Sequence, residues 1–315
     1  MGEYGVAPGP AKPQFTELKY PELEDKVVIV TGGNTGVGYE TVKSLAATTK
    51  ARIYIFSRNK EKTLDAIKQV QLEIAKECNV VDREINFVQV DLSDLKSIKP
   101  AVEQFLKTRY SHPQCWYHGS SSGFTVKQGH ELQRGTNVLG PHLLQRLLDP
   151  LLIETSNINL TGIGRIVWIA STAHIMSPEG GVFWENIGFQ NLKMSKGMKL
   201  ALYGQSKAAN ILQARTWSCK HNRPNVISSS ICPGFLNTGL QKNVGAVEKL
   251  LMRFLYHPWR YGAYTGLNAA LPPDVKDGSH AISFGVPGHI RQDLIPEGVG
   301  DRLWTYLDKE SEPNI

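Results

Sequence analysis

The chain has 315 residues and a mass of 34.9 kDa, with 41% hydrophobic and 20% charged residues, which excludes a disordered chain and leaves enough apolar material for a core. Lys and Arg number 35 against 29 Asp and Glu, a net charge of +6 with a pI near 9.0, yet the basic residues are scattered among acids, so no nucleic-acid partner is expected. The longest apolar runs are strand-sized and fall short of the roughly 18 residues a membrane helix needs, so no membrane span is expected.

Residues 1–25, with Pro8, Pro10, Pro13 and Pro21, read as a flexible or loosely packed arm without the basic-then-apolar order of a signal peptide. From residue 26 the period alternates. The run 27–30 (VVIV) suits a strand buried on both faces, and 38–47 reads as a helix. Strands are predicted at 52–56, 85–90, 164–169 and 225–231. Helices are predicted at 61–78, 94–107, 139–152 and 202–219. Strands alternating with helices imply parallel pairing through right-handed crossovers, hence a doubly wound α/β sheet of Rossmann type in a single domain over 26–315. Cys78, Cys115, Cys219 and Cys232 lie far apart, with no CxxC pair or Cys/His cluster. Reduced thiols in a cytoplasmic protein and no metal are expected.

The first predicted strand runs straight into TGGNTGVG and then a helix. Gly32, Asn34, Gly36, Val37 and Gly38 can form a tight turn over which a pyrophosphate approaches the backbone and the free N–H groups of the helix start. After the second strand the chain has Ser57 and Arg58 where an acidic residue would accept a ribose 2′-hydroxyl. The Arg58 guanidinium can pair with a 2′-phosphate, which favours NADP(H) over NAD; alternatively it caps the next helix. Asp91 and Leu92, just past the third strand, are positioned to meet an adenine, although Asp91 can equally cap the helix that starts near Asp94.

YGQSK puts Tyr203 and Lys207 at i and i+4 on one helix face. A phenol titrates near 10, and bringing it near 7 takes about 4 kcal/mol, which a close ammonium and a cationic cofactor can supply. A tyrosine tuned in this way can give a proton to a carbonyl or take one from an alcohol. Ser171 ends the strand 164–169 region at the carboxyl edge of the sheet, where its hydroxyl, or that of Thr172, can hold a substrate oxygen. Asn137 in a middle helix can hold a water that relays protons toward Lys207, or bond its own backbone. After the last strand, CPGFLNT offers Leu236 and Thr238 to a carboxamide.

TGGNTGVG, DL after the third strand, TN in the middle helix, the strand-end Ser, YGQSK and PGFLNT occur in the order of the short-chain dehydrogenases/reductases, which the chain resembles over roughly residues 25–290. The blocks GHELQRGTNVLG and YGQSKAANIL are most similar to the retinol-dehydrogenase and WW-domain-oxidoreductase-like branch, with many fungal members. The resemblance implies about seven strands and a tetrad carried by Asn137, Ser171, Tyr203 and Lys207. It also implies hydride transfer between NAD(P)H and a carbonyl or alcohol of a small molecule, such as a secondary-metabolite intermediate, in a homodimer or homotetramer.

One stretch breaks the pattern. The family's fourth strand ends in Asn-Asn-Ala-Gly, and this chain has YSHPQCWYHGSSSGF over 110–124, so a defective or missing fourth strand is expected. Back-translating 114–120 as CAA-TGC-TGG-TAT-CAT-GGT-TCC and reading one nucleotide later gives Asn-Ala-Gly-Ile-Met-Val-Pro, a likeness of the absent motif. The damaged stretch also supports an alternative reading, a non-catalytic nucleotide-binding or regulatory protein derived from a reductase.

Overall fold

Runs of β-branched and aromatic residues build the sheet. The computed structural model describes residues 12–108, 115–119, 128–158, 164–193, 195–221, 225–236 and 257–315. Its strands are β1 (Val27–Thr31), β2 (Arg52–Ser57), β3 (Ile85–Gln89), β4 (Cys115–Gly119), β5 (Gly164–Ile169), β6 (Val226–Ile231), β7 (His280–Ile282) and β8 (Val286–Pro287). They form one eight-stranded sheet in the order β3-β2-β1-β4-β5-β6-β7-β8. Pairing is parallel from β3 to β7, and β8 runs antiparallel to β7.

Helices cover both faces: α1 (Gly36–Thr48), α2 (Lys60–Cys78), α3 (Ile98–Thr108), α4 (Gly140–Ile158), α5 (Lys196–His221), α6 (Trp259–Ala270) and α7 (Glu297–Ser311). Alternation along β1 divides the core in two. Val27 and Ile29 join Phe105 of α3, Leu143 of α4, Trp217 of α5 and Leu307 of α7. Val28 and Val30 join Val42 of α1, Val70 of α2 and Leu267 of α6. A strand covered on both sides reads as a continuous apolar run, which is why β1 was legible. The chain winds outward from β1 to β3 and then returns to β4 on the other side of β1. This reversal opens a crevice at the carboxyl ends of β1 and β4, where sheets of this kind hold ligands.

The fourth strand, expected to be defective or missing, is present as backbone. Cys115–Gly119 pairs with Val27–Thr31 on one side, and Trp116–Gly119 with Arg165–Trp168 on the other. The expectation rests on composition, but a strand between two partners takes its geometry from their N–H and C=O groups more than from its own propensity.

Two further differences concern surfaces. Part of the expected loose arm is tied down: Leu23 is buried, and Glu17 accepts from Ser44 Oγ of α1 at 2.8 Å and from Arg260 of α6 at 2.7 and 3.1 Å. The aromatic stretch from Trp259, which the predicted elements leave out, is helix to Ala270 and buries Tyr264 against the body. Among the described residues, no helix is long and apolar enough to cross a membrane, and no group of three or more His, Cys, Asp or Glu could hold a metal ion.

Candidate active site

The turn between β1 and α1 is built around glycine. Gly32 and Gly36 have φ of 64° and 58°, the left-handed region that a side chain resists. A Cβ on Gly38 would lie 2.4 Å from the Gly32 carbonyl oxygen, so the helix start can close on the turn only without one. Thr35, the N-cap, makes no side-chain bond to the helix, which leaves the first N–H groups of α1 available to an anion. Asn34 and Val37 are half-buried on either side, and the Trp259 ring lies where a Cβ on Gly36 would meet it at 3.2 Å.

At the end of β2, Arg58 is exposed, and the cap of α2 is Asn59, whose side chain accepts from Lys62 N at 2.9 Å. Arg58 is therefore not the cap. The Ser57 side chain is buried and its hydroxyl is hydrogen-bonded to Thr63 of α2. Asp91 folds onto its own loop, accepting from Ser93 N at 3.0 Å and Ser93 Oγ at 2.6 Å, and the N-cap of the helical turn that starts there, Leu95–Ser97, is Asp94. Leu92 is buried, and its carbonyl oxygen would stand 2.1 Å from a Cβ on Gly140, so this loop rests on the start of α4.

Tyr203, Lys207 and Ser171 come together at the carboxyl end of β5. A Cβ on Gly204 would meet the Ala173 carbonyl oxygen at 2.5 Å, so α5 lies directly on the turn after Ser171. The Tyr203 hydroxyl bonds the Ser171 side chain, and Lys207 Nζ stands 5.6 Å from the Tyr203 ring centroid. Thr172, the rival hydroxyl, turns to Cys232 of the Pro-Gly turn, its N–H at 3.1 Å and its Oγ1 at 3.4 Å from Sγ. Asn137 sits in a π-helical turn, Gly135–Leu139, a distortion frequent at functional sites. Its Nδ2 donates to Gln133 Oε1 at 2.7 Å and Ser206 Oγ at 3.2 Å, which ties this turn to the helix that bears Tyr203 and Lys207. Leu236 is buried and bridges to His257; Thr238 lies outside the described residues.

The electrostatics depart from the sequence reading. Burial pushes the Tyr203 phenol above its usual value, with the Ser171 bond pulling the other way. Burial also lowers Lys207 to about 8. Its Nζ donates to the Ile169 carbonyl at 3.0 Å, and Asn210 Nδ2 donates to the same oxygen at 2.8 Å. Asn210 went unnoticed in the sequence, although its position three residues after Lys207 puts it on the same helix face.

A family model for short chain dehydrogenases matches residues 26–111, ending where the irregular stretch begins. A short-chain dehydrogenase/reductase of Armillaria gallica is 32% identical over 305 residues, covering 95% of this chain and 94% of that protein. The chain belongs to the short-chain dehydrogenase/reductase family. Another member, from Phaeosphaeria nodorum, is 33% identical over 289 residues, covering 87% of each. Solved structures of similar fold include an uncharacterized protein of Mycobacterium paratuberculosis (TM-score 0.67, 22% identity, 95% of this chain and 97% of that one). RhlG of Pseudomonas aeruginosa, solved with NADP, gives a TM-score of 0.61 at 16% identity, covering 86% and 97%. Actinorhodin polyketide ketoreductase, solved with NADPH, gives 0.56 at 17% identity, covering 84% and 96%.

Short-chain dehydrogenases/reductases bind nicotinamide cofactors, and the residues present fit one. The side-chain-free cradle at Gly32, Gly36 and Gly38 and the unclaimed amides of α1 suit a pyrophosphate. When bound, the nicotinamide supplies or takes the hydride; the protein's own groups move the proton.

Proposed function

We propose that this short-chain dehydrogenase/reductase is an NADP(H)-dependent oxidoreductase, transferring hydride between NADP(H) and a carbonyl or alcohol on an apolar small molecule such as a secondary-metabolite intermediate. The convergence of Tyr203, Ser171 and Lys207 at the carboxyl end of β5 carries the reading. Tyr203 Oη gives the proton to the substrate oxygen in reduction and takes it back in oxidation, with Ser171 Oγ holding the hydroxyl in line. The Lys207 ammonium favours the phenolate that forms.

Preference for NADP(H) is supported by Arg58, exposed after β2 with no acid beside it, and by the NADP and NADPH of the solved neighbours. An apolar substrate is supported by three exposed side chains: Met176 after Ser171 (46%), Leu200 one turn before Tyr203 (42%) and Phe235 in the Pro-Gly turn (42%). The same reading includes a place in the retinol-dehydrogenase and WW-domain-oxidoreductase-like branch, a cytoplasmic location and a homodimer or homotetramer.

A fluorescence titration with NADPH and NADH tests it, followed by turnover on a panel of aldehydes and ketones. NADPH should bind at least about tenfold tighter, as one charge-assisted phosphate contact allows, and Arg58→Glu should remove the difference. Equal binding of both cofactors would overturn the NADP(H) preference. NADPH binding without turnover on any carbonyl would favour the regulatory alternative.

A further inference from the structure

The catalytic lysine does not hold its carbonyl alone. Lys207 Nζ and Asn210 Nδ2 both donate to the Ile169 oxygen, at 3.0 and 2.8 Å, at the last residue of β5. A carbonyl oxygen has two lone pairs, and these donors use both. Beyond Asn210 the bonds continue through the protein. Gln213 Nε2 donates to Asn210 Oδ1 at 3.3 Å. Gln213 Oε1 accepts from His142 Nδ1 at 3.0 Å, and His142 Nε2 reaches Asp308 Oδ1 at 2.9 Å. Asn210, Gln213 and His142 are all buried, at 5%, 1% and 0% exposure, and Asp308 belongs to α7 at the surface, paired there with Arg146 at 3.3 Å. The residues on α5 lie at 207, 210 and 213, one face of one helix.

We infer that Asn210 is a positioning residue for the reaction: it fixes the Ile169 carbonyl that receives Lys207, and its own amide is oriented through Gln213 and His142 by Asp308 of α7. The inference rests on the catalytic reading of Tyr203 and Lys207. With one lone pair taken by Asn210, the ammonium has a single direction of approach, and this keeps it within reach of the Tyr203 ring. Without that bond the carbonyl is free to turn, and the ammonium turns with it. The phenol then loses part of the positive charge that favours its ionised form. Coupling of this kind runs through packed, satisfied polar groups, in which an amide held at both ends has one orientation.

The test measures alcohol oxidation against pH for the wild type, Tyr203→Phe, Asn210→Ala, Asp308→Asn and the double variant Asn210→Ala/Asp308→Asn. Tyr203→Phe should abolish turnover; if it is as active as the wild type, the catalytic reading fails and the Asn210 inference fails with it. Given that control, Asn210→Ala should lower kcat at neutral pH by about tenfold with KM nearly unchanged, and should move the rise of kcat with pH to more alkaline values. Asp308→Asn, a surface change that keeps the shape of the side chain, should move the profile in the same direction by a smaller amount. The double variant should fall no further than Asn210→Ala alone, as expected of one chain of contacts. A loss of kcat equal at every pH would assign Asn210 a purely structural role and overturn the inference. So would a wild-type profile in both single variants. Should Asn210→Ala not fold, the Asp308→Asn profile alone decides, and an unshifted one overturns the proposal.

Discussion

Replacing Lys207 with methionine separates the cost of burying its charge from the use of that charge. Lys207 is 7% exposed, and burial lowers its pKa from the usual 10.5 to about 8. At about 1.4 kcal/mol per pH unit, that gap corresponds to roughly 3 kcal/mol by which the folded state disfavours the ammonium. The sign follows from proton counting. Below about pH 8 the lysine is charged in both folded and unfolded chains, and the folded one carries the whole penalty. Between about 8 and 10.5 the unfolded chain binds more protons, so wild-type stability rises with pH across that window, and above it the penalty is gone.

Methionine is of similar length and carries no charge, but it leaves the Ile169 carbonyl with Asn210 alone, a loss of about 1 kcal/mol. The variant should therefore be inactive and roughly 2 kcal/mol more stable at pH 7, an increase in melting temperature of about 3 °C for a domain of this size. Urea unfolding of both proteins at pH 7, 8, 9 and 10 measures it, and the gain should shrink steadily above pH 8. A methionine variant less stable at pH 7, with a difference independent of pH, would refute the argument. It would mean that the Ile169 bond more than offsets the burial.

Two further predictions concern the frame around the site. Gly140→Ala puts a Cβ 2.1 Å from the Leu92 carbonyl oxygen, so the loop bearing Asp91 must part from the start of α4. A loss of roughly 2–4 kcal/mol in thermal unfolding and weaker NADPH binding are expected. Sequencing the transcript across codons 105–130 should find CAA-TGC-TGG-TAT-CAT-GGT-TCC at 114–120, the codons whose next frame reads Asn-Ala-Gly-Ile-Met-Val-Pro; codons incompatible with that shift would remove the frame-shift account.

What was legible in the sequence, and what was not, divides along physical lines. The inner strands β1, β2 and β5 announce themselves because strands covered on both faces are predominantly apolar, and the phosphate turn because only glycine tolerates its φ and its contacts. Tyr203 and Lys207 were legible because helical spacing alone puts them on one face. By contrast, β4 lacks a β-branched run and is set by its two neighbours. The direction of the Ser57 hydroxyl depends on a rotamer that meets Thr63, which no spacing encodes. The Tyr203 phenol is pushed up by burial against the pull of the Ser171 bond, and the sequence showed neither the depth nor the bond. Helices α6 and α7 carry no motif and are specified by packing.

The interior of α5 explains how the groups proposed as catalytic can be held in place on a helix rich in polar residues. Gln205 accepts from Phe183 N at 2.7 Å and donates to the Ile187 carbonyl at 2.8 Å, pinning the loop after Ser171. Ser206 meets both the Tyr203 carbonyl and Asn137. Lys207 and Asn210 meet β5, and Gln213 meets α4 through His142. Trp217 Nε1 donates to buried Asp149 at 2.8 Å. An apolar helix in the same groove could slide or rotate with modest loss, because dispersion contacts are interchangeable. Here a slip of one turn would strand every one of these buried groups, each costing on the order of 1–3 kcal/mol unpaired. The polar character of α5 is therefore what fixes its register, and with it the distance between Tyr203 and the carboxyl end of the sheet.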